Sequence, residues 1–249
     1  MSTSQNIIAH LIELRKRLLN SVIALLLVFA CLFPWAADLY ALLAQPLLAK
    51  LPQGGQMIAT DVTTPFFVPV KVALMTAFLI TLPYILFQIW SFIAPGLYAH
   101  EKRWIVPLVV ASLLLFLGGM AFAYFAVFPM VFGFITASAP QGVAVMTDID
   151  KYLSFVMSMF LAFGVTFQVP VAVVAMVKMG FVTVAKLREI RRYVIVGAFI
   201  AGAILTPPDI VSQFMLAIPL WLLYEAGIWV AVWMVRMPIE ENVKAGKSD

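Results

Sequence analysis

Glu101 has the clearest chemistry to offer in this chain. It stands in a ten-residue turn, Ala94-Pro-Gly-Leu-Tyr-Ala-His-Glu-Lys-Arg103, between two long apolar runs and on a face crowded with Lys and Arg. A carboxylate there can bind a compact cation, best a guanidinium through two parallel N–H···O bonds. It can equally serve the helix that follows, because the dipole favours negative charge at a helix start. Lys102 and Arg103 do not neutralise it on a shared helix face, since i+1 and i+2 neighbours do not meet there. Glu13, within His10-Leu-Ile-Glu-Leu-Arg-Lys-Arg17, is a second acid of this kind. It too has a local explanation, an ion pair with Lys16 or Arg17 at i+3 or i+4, worth about 0.2–0.5 kcal/mol.

Other polar groups fall inside apolar stretches, where burial is costly and a functional role is the default hypothesis. Glu225 lies within the last long run, and Gln168 sits beside Pro170. Each has a structural alternative, a hydrogen bond to a neighbouring helix or to a carbonyl freed by a proline. Asp209 follows Thr206-Pro-Pro and can cap the helix behind it. Enzymatic chemistry finds no foothold. The chain has no H-E-x-x-H, no G-x-S-x-G and no glycine-rich phosphate loop. Only two histidines and one cysteine are present, Cys31 within an apolar run, so neither a metal site nor a disulfide framework is expected. No cofactor is implied.

The elements that must position these groups are membrane helices. Of 249 residues, 64% are hydrophobic and 11% charged, and the mean hydropathy is +1.04. A soluble domain of this length cannot bury so much apolar surface. Alternation with period two, the barrel signature, is absent. The predicted class is an all-α membrane protein, a single polytopic domain over 1–249. Its six spans lie at about 18–37, 68–93, 104–136, 152–177, 193–205 and 210–235, with a tail at 236–249. Pro207 and Pro208 separate the last two. The fifth, at about 1.5 Å per residue, covers only about 20 Å of a roughly 30 Å core. Pro83, Pro170 and Pro219 fall inside spans and are expected to bend them into a concave or irregular wall.

Thirteen of the sixteen Lys and Arg residues fall on the side of both termini, leaving Lys50, Lys71 and Lys151 opposite. The positive-inside rule therefore predicts cytoplasmic termini, and the basic pI of about 9.2 reports topology rather than nucleic-acid binding. On that side the acids ahead of the tail are Glu13, Glu101 and Glu189.

Three motifs at these spacings, His10-Leu-Ile-Glu-Leu-Arg-Lys-Arg-Leu18, Phe92-Ile-Ala-Pro-Gly-Leu-Tyr98 with Glu101-Lys-Arg103, and Leu205-Thr-Pro-Pro-Asp209, resemble those of the TatC family. This family is the multispanning subunit of the twin-arginine protein translocase, and the resemblance covers residues 5 to about 236. It implies a six-helix, glove-like fold in the bacterial inner membrane, without enzymatic activity. It implies that the N-terminal segment and first cytoplasmic loop bind twin-arginine signal peptides of folded cargo. Glu101 would be the principal arginine partner and Glu13 a helper. Phe92, Pro95, Leu97, Tyr98 and Arg103 would shape the loop, and Leu11, Leu14 and Arg17 the N-terminal element. Single-span TatA- and TatB-type partners would dock on the transmembrane helices in an oligomeric, lipid-embedded complex driven by the proton-motive force. Where the family often carries glutamate in the fourth span, this chain has Gln168, which cannot titrate. The rival reading is a secondary transporter using Glu225 and Gln168 at mid-membrane, which the lack of a visible internal repeat disfavours.

Overall fold

A computed structural model describes residues 3–48, 57–93, 105–137, 147–205 and 210–245. The apolar runs form helices: α1 Thr3–Leu32, α2 Ala36–Leu48, α3 Thr64–Ile93, α4 Ile105–Phe122, α5 Phe128–Ala137, α6 Ile149–Thr166, α7 Val169–Lys178, α8 Val184–Glu189, α9 Arg191–Leu205 and α10 Ile210–Ala245. Strands β1 (Met57–Ile58) and β2 (Thr147–Asp148) add one short parallel ladder. Among the described residues, five stretches are long and apolar enough to cross a bilayer: Ile8–Leu42, Thr64–Ile93, Val106–Gly133, Ile149–Lys178 and Gln213–Trp233. The expected fifth span lies in α9, whose 15 residues rise only about 22 Å.

Several helices extend beyond the apolar runs they contain, each for a local reason. The charged segment His10–Arg17 does not precede the first span but is continuous with it in α1. No breaker intervenes, and Arg17 braces Glu13 one turn back. Pro34 does not end the run either. It occupies a 3-10 turn at Phe33–Trp35, where a missing early N–H costs little, and α2 carries the helix on to Leu48. At the other end α10 runs on to Ala245, past the apolar stretch Gln213–Trp233.

The prolines act unequally. Both α3, with Pro69 and Pro83, and α10, with Pro219, continue through them. Pro170 coincides with a break, α6 ending at Thr166 and α7 starting at Val169. Between α4 and α5, a π-helical segment at Ala123–Val127 sits ahead of Pro129. A widened turn there relieves the ring's clash with the carbonyl four residues back.

Packing divides the chain into two compact units, residues 1–113 with 136–157, and 114–135 with 158–249. In the first, α1 and α2 pack on α3, whose Val68, Val72, Ala73, Ala77, Leu82 and Leu86 are buried. The Trp90 indole N–H donates to Ser112 Oγ at 2.8 Å, tying α3 to α4. In the second, α10 packs on α7 and α9. A Cβ on Gly227 would lie 2.9 Å from Pro170 Cα, and one on Gly202 would lie 3.1 Å from Gln213. Small residues thus set these approaches, as expected where helices gain little from hydrophobic association in lipid. After α7, Gly180 adopts φ of 71°, and Phe181 N–H bonds Met176 O while Gly180 N–H bonds Val177 O. This Schellman turn feeds Thr183, whose hydroxyl accepts from Lys186 N–H and starts α8.

Candidate functional site

The first site forms where α1 meets the last turns of α3, beside the 94–104 connection. Glu13, Arg17 and Gln88 converge there. Arg17 donates from Nη2 at 2.6 Å and from Nε at 2.9 Å, both to Glu13 Oε1. Its Nη1 donates to Gln88 Oε1 at 3.2 Å. Gln88 in turn donates from Nε2 to the Tyr84 hydroxyl at 2.6 Å, one helical turn back on α3. Gln88 is only 8% exposed, so its amide is fixed by burial and by this bond. One turn towards each helix end, the His10 and Phe92 rings stack with centroids 4.3 Å apart and planes 15° from parallel. The i, i+4 spacing produces both ladders, Tyr84–Gln88–Phe92 on α3 and Glu13–Arg17 on α1.

Electrostatically, this is a carboxylate already holding a guanidinium. Glu13 is 36% exposed at its side chain and Arg17 25%. Both of its bonds to Arg17 fall on Oε1, and Glu13 Oε2 bonds to none of the described residues. Leu11, Leu14 and Leu18 form an exposed apolar stripe on α1 at i, i+3 and i+7. Glu13, Arg17 and Phe92 are thus brought to one place, with Leu11 and Leu14 on the same helix. Pro95, Leu97, Tyr98, Glu101 and Arg103 lie outside the described residues, as does Asp209. Gln88 and Tyr84 were missed from the sequence. The signal was present: a lone amide four residues before Phe92 in an otherwise apolar run.

The second unit holds the intramembrane polar groups. Glu225 is not a free carboxylate. Arg191 Nη2 donates to Glu225 Oε2 at 2.7 Å, and Arg191 Nε approaches Oε1 at 2.7 Å but off the hydrogen-bonding direction, so that contact is electrostatic. From the 206–209 connection, Glu225 lies about as far along α10 as Arg191 along α9. The pair therefore closes the far end of the short helix. Arg191 and Arg192 occupy the first turn of α9, where cations oppose the dipole, and Glu225 supplies the negative charge. Tyr224 donates its hydroxyl to Leu187 O at 2.8 Å, within a core of Val173, Leu187, Tyr224 and Ile228 that seats α8. Gln168 precedes α7 at the Pro170 break and donates from Nε2 to Gly164 O at 3.5 Å.

A third cluster belongs to the first unit. Asp148 caps α6, its Oδ1 accepting from the N–H of Asp150 at 2.8 Å and of Lys151 at 3.0 Å. Its Oδ2 accepts from the Thr60 hydroxyl and, at 3.3 Å, from the Thr60 N–H. The Thr60 hydroxyl bond, followed by the Lys151 backbone bond, holds the Asp148 carboxyl below its ordinary pKa. Lys71 Nζ lies 2.5 Å from Asp150 Oδ1 and donates to Ser154 Oγ at 3.2 Å. These contacts and the β1–β2 ladder fasten the segment after residue 57 to the start of α6. No group of three or more His, Cys, Asp or Glu suited to a metal occurs among the described residues.

Comparison with known proteins gives one consistent result. The family model described as Sec-independent protein translocase protein (TatC) matches residues 9–219. The chain is 56% identical to the Sec-independent protein translocase protein TatC of Escherichia coli over 226 residues, 91% of this chain and 88% of the relative. It is 53% identical to that of Haemophilus influenzae over 241 residues, 97% and 94% of the two chains. A crystal structure described as the twin arginine translocase receptor TatC superposes with a TM-score of 0.79 at 40% identity, covering 90% of this chain and 98% of that one.

Proposed function

The chain belongs to the TatC family, multi-pass membrane components of the twin-arginine protein translocase, and on that premise we propose that it is the signal receptor of its translocase. It binds paired-arginine signal peptides of folded cargo on the cytoplasmic side. Glu101 is the principal guanidinium partner and Glu13 the second, with the loop residues Pro95, Leu97, Tyr98 and Arg103 and the stacked Phe92 around them. The exposed Leu11–Leu14 stripe meets the apolar part of the signal. Both termini are cytoplasmic in the bacterial inner membrane, and α9 serves as the short fifth of six crossings within one membrane domain. TatA- and TatB-type single-span proteins assemble on its helices in an oligomeric complex for export driven by the proton-motive force.

One observation supports this reading: Glu13, on α1 where it meets the last turns of α3, already holds a guanidinium by two charge-assisted bonds. A carboxylate that already accepts a guanidinium from its own helix supports the reading that it can accept one from a signal. The test is site-specific photo-crosslinking of a paired-arginine signal to the full chain in membranes. Glu101→Gln is expected to abolish most of the crosslink and Glu13→Gln to reduce it, with insertion unchanged. An undiminished crosslink in Glu101→Gln would overturn the assignment.

A further inference from the structure

Arg17 poses a problem for a Glu13 that receives ligand. Its guanidinium spends two N–H groups on Glu13 Oε1 and a third on Gln88 Oε1. It stands between a charged acceptor on its own helix and a neutral one on α3. Resting on the signal-receptor reading, we propose that Arg17 is an internal occupant of the Glu13 carboxylate. In the same proposal, Gln88 is the positioning residue that keeps Arg17 satisfied when a signal guanidinium displaces it.

The geometry favours exchange over eviction. An i, i+4 pair at this exposure is weak, so an incoming guanidinium with bidentate geometry can compete for Glu13. The displaced Arg17 need not travel, because Nη1 is already within hydrogen-bond distance of Gln88. Rotation about the terminal side-chain torsions brings the rest of the fork towards the same amide. Without Gln88, a displaced Arg17, part-buried, would lose its one other side-chain acceptor among the described residues, which favours its staying on Glu13. Gln88 can receive it because its amide is pinned, buried and donating to Tyr84. Lysine competes poorly in this scheme. Its ammonium is a point charge and cannot replace two N–H bonds of a planar fork at one stroke. Discrimination between arginine and lysine would thus depend partly on a residue that never touches the signal.

The test uses the full chain in detergent micelles and two synthetic peptides, each with an apolar stretch preceded by two adjacent arginines or two adjacent lysines. Gln88→Leu is expected to weaken the arginine peptide about five- to tenfold and leave the lysine peptide nearly unchanged. Arg17→Gln is expected to bind the arginine peptide at least as tightly as the parent. In the Arg17→Gln background, Gln88→Leu is expected to have no further effect. Tyr84→Phe, nearly isosteric, should repeat the pattern at smaller amplitude and carries the comparison if Gln88→Leu does not fold. Equal losses with and without Arg17, or weaker binding by Arg17→Gln, would overturn the inference while leaving the receptor reading intact. A parent chain indifferent to arginine against lysine would overturn the reading itself, and the inference with it.

Discussion

Replacing Arg191 should cost more than replacing Glu225, although the two form one ion pair. The Glu225 side chain is 18% exposed, on α10 among apolar neighbours, whereas Arg191 is 41% exposed at the first turn of α9. In Arg191→Gln the carboxylate keeps its charge in a poorly hydrated place and loses its cation. A fully buried pair broken this way costs about 3–5 kcal/mol, and the incomplete burial of this pair brings the expectation to about 2–3 kcal/mol. In Glu225→Gln the guanidinium is left behind, but it can turn to water, and the new amide can still accept from Nη2. That change should cost about 1 kcal/mol. The double substitution should then show a coupling of about 1–2 kcal/mol. Unfolding of the full chain in mixed micelles, followed by tryptophan fluorescence, reads all four corners of the cycle. At the upper end Arg191→Gln shifts the equilibrium by about two decades. Equal costs for the two single variants, or additive costs, would refute the claim that Glu225 serves as counter-charge to the start of α9.

Two further predictions concern packing and the outer cluster. A Cβ at Gly119 would lie 2.5 Å from the Phe163 carbonyl oxygen, backbone that cannot swing aside, so Gly119→Ala should destabilise by about 1–3 kcal/mol in the same unfolding assay. Gly118→Ala, where a Cβ meets nothing within 4 Å, should be close to neutral. The Asp148 carboxyl should titrate below 3.8 by carboxyl-carbon NMR, because its hydrogen bonds favour the charged form. Since the folded value is the depressed one, its contribution is present above the unfolded value and is lost as pH falls through the folded one. Thr60→Val removes the largest cause and should move the titration upward, and an unmoved value would contradict the assigned bond.

Legibility in the sequence followed the range of the interaction. Pro170 marks a real break and the Thr206-Pro-Pro-Asp209 motif separates α9 from α10, because a missing N–H acts on its own turn. The Glu13–Arg17 pair was open to reading for the same reason, being four residues apart on one helix. Pro34, by contrast, lies within the expected first span and enters a 3-10 turn between α1 and α2, a placement that depends on which turn a proline enters. The role of Glu225 stayed open because its partner is on another helix, 34 residues away. Gln88 went unread because its meaning comes from Arg17, 71 residues earlier.

By itself the sequence determined the solvent this chain needs, the order of its apolar helices and its family, since these follow from composition, local backbone rules and short motifs. Only the tertiary structure decided what each scarce polar group is for. It gave Glu225 to Arg191, Asp148 to Thr60 and Lys71 to Asp150, and it left Arg17 shared between Glu13 and Gln88. The physical reason is that a charge in an apolar setting must find a partner, and helix packing rather than sequence spacing decides which one comes within 3 Å.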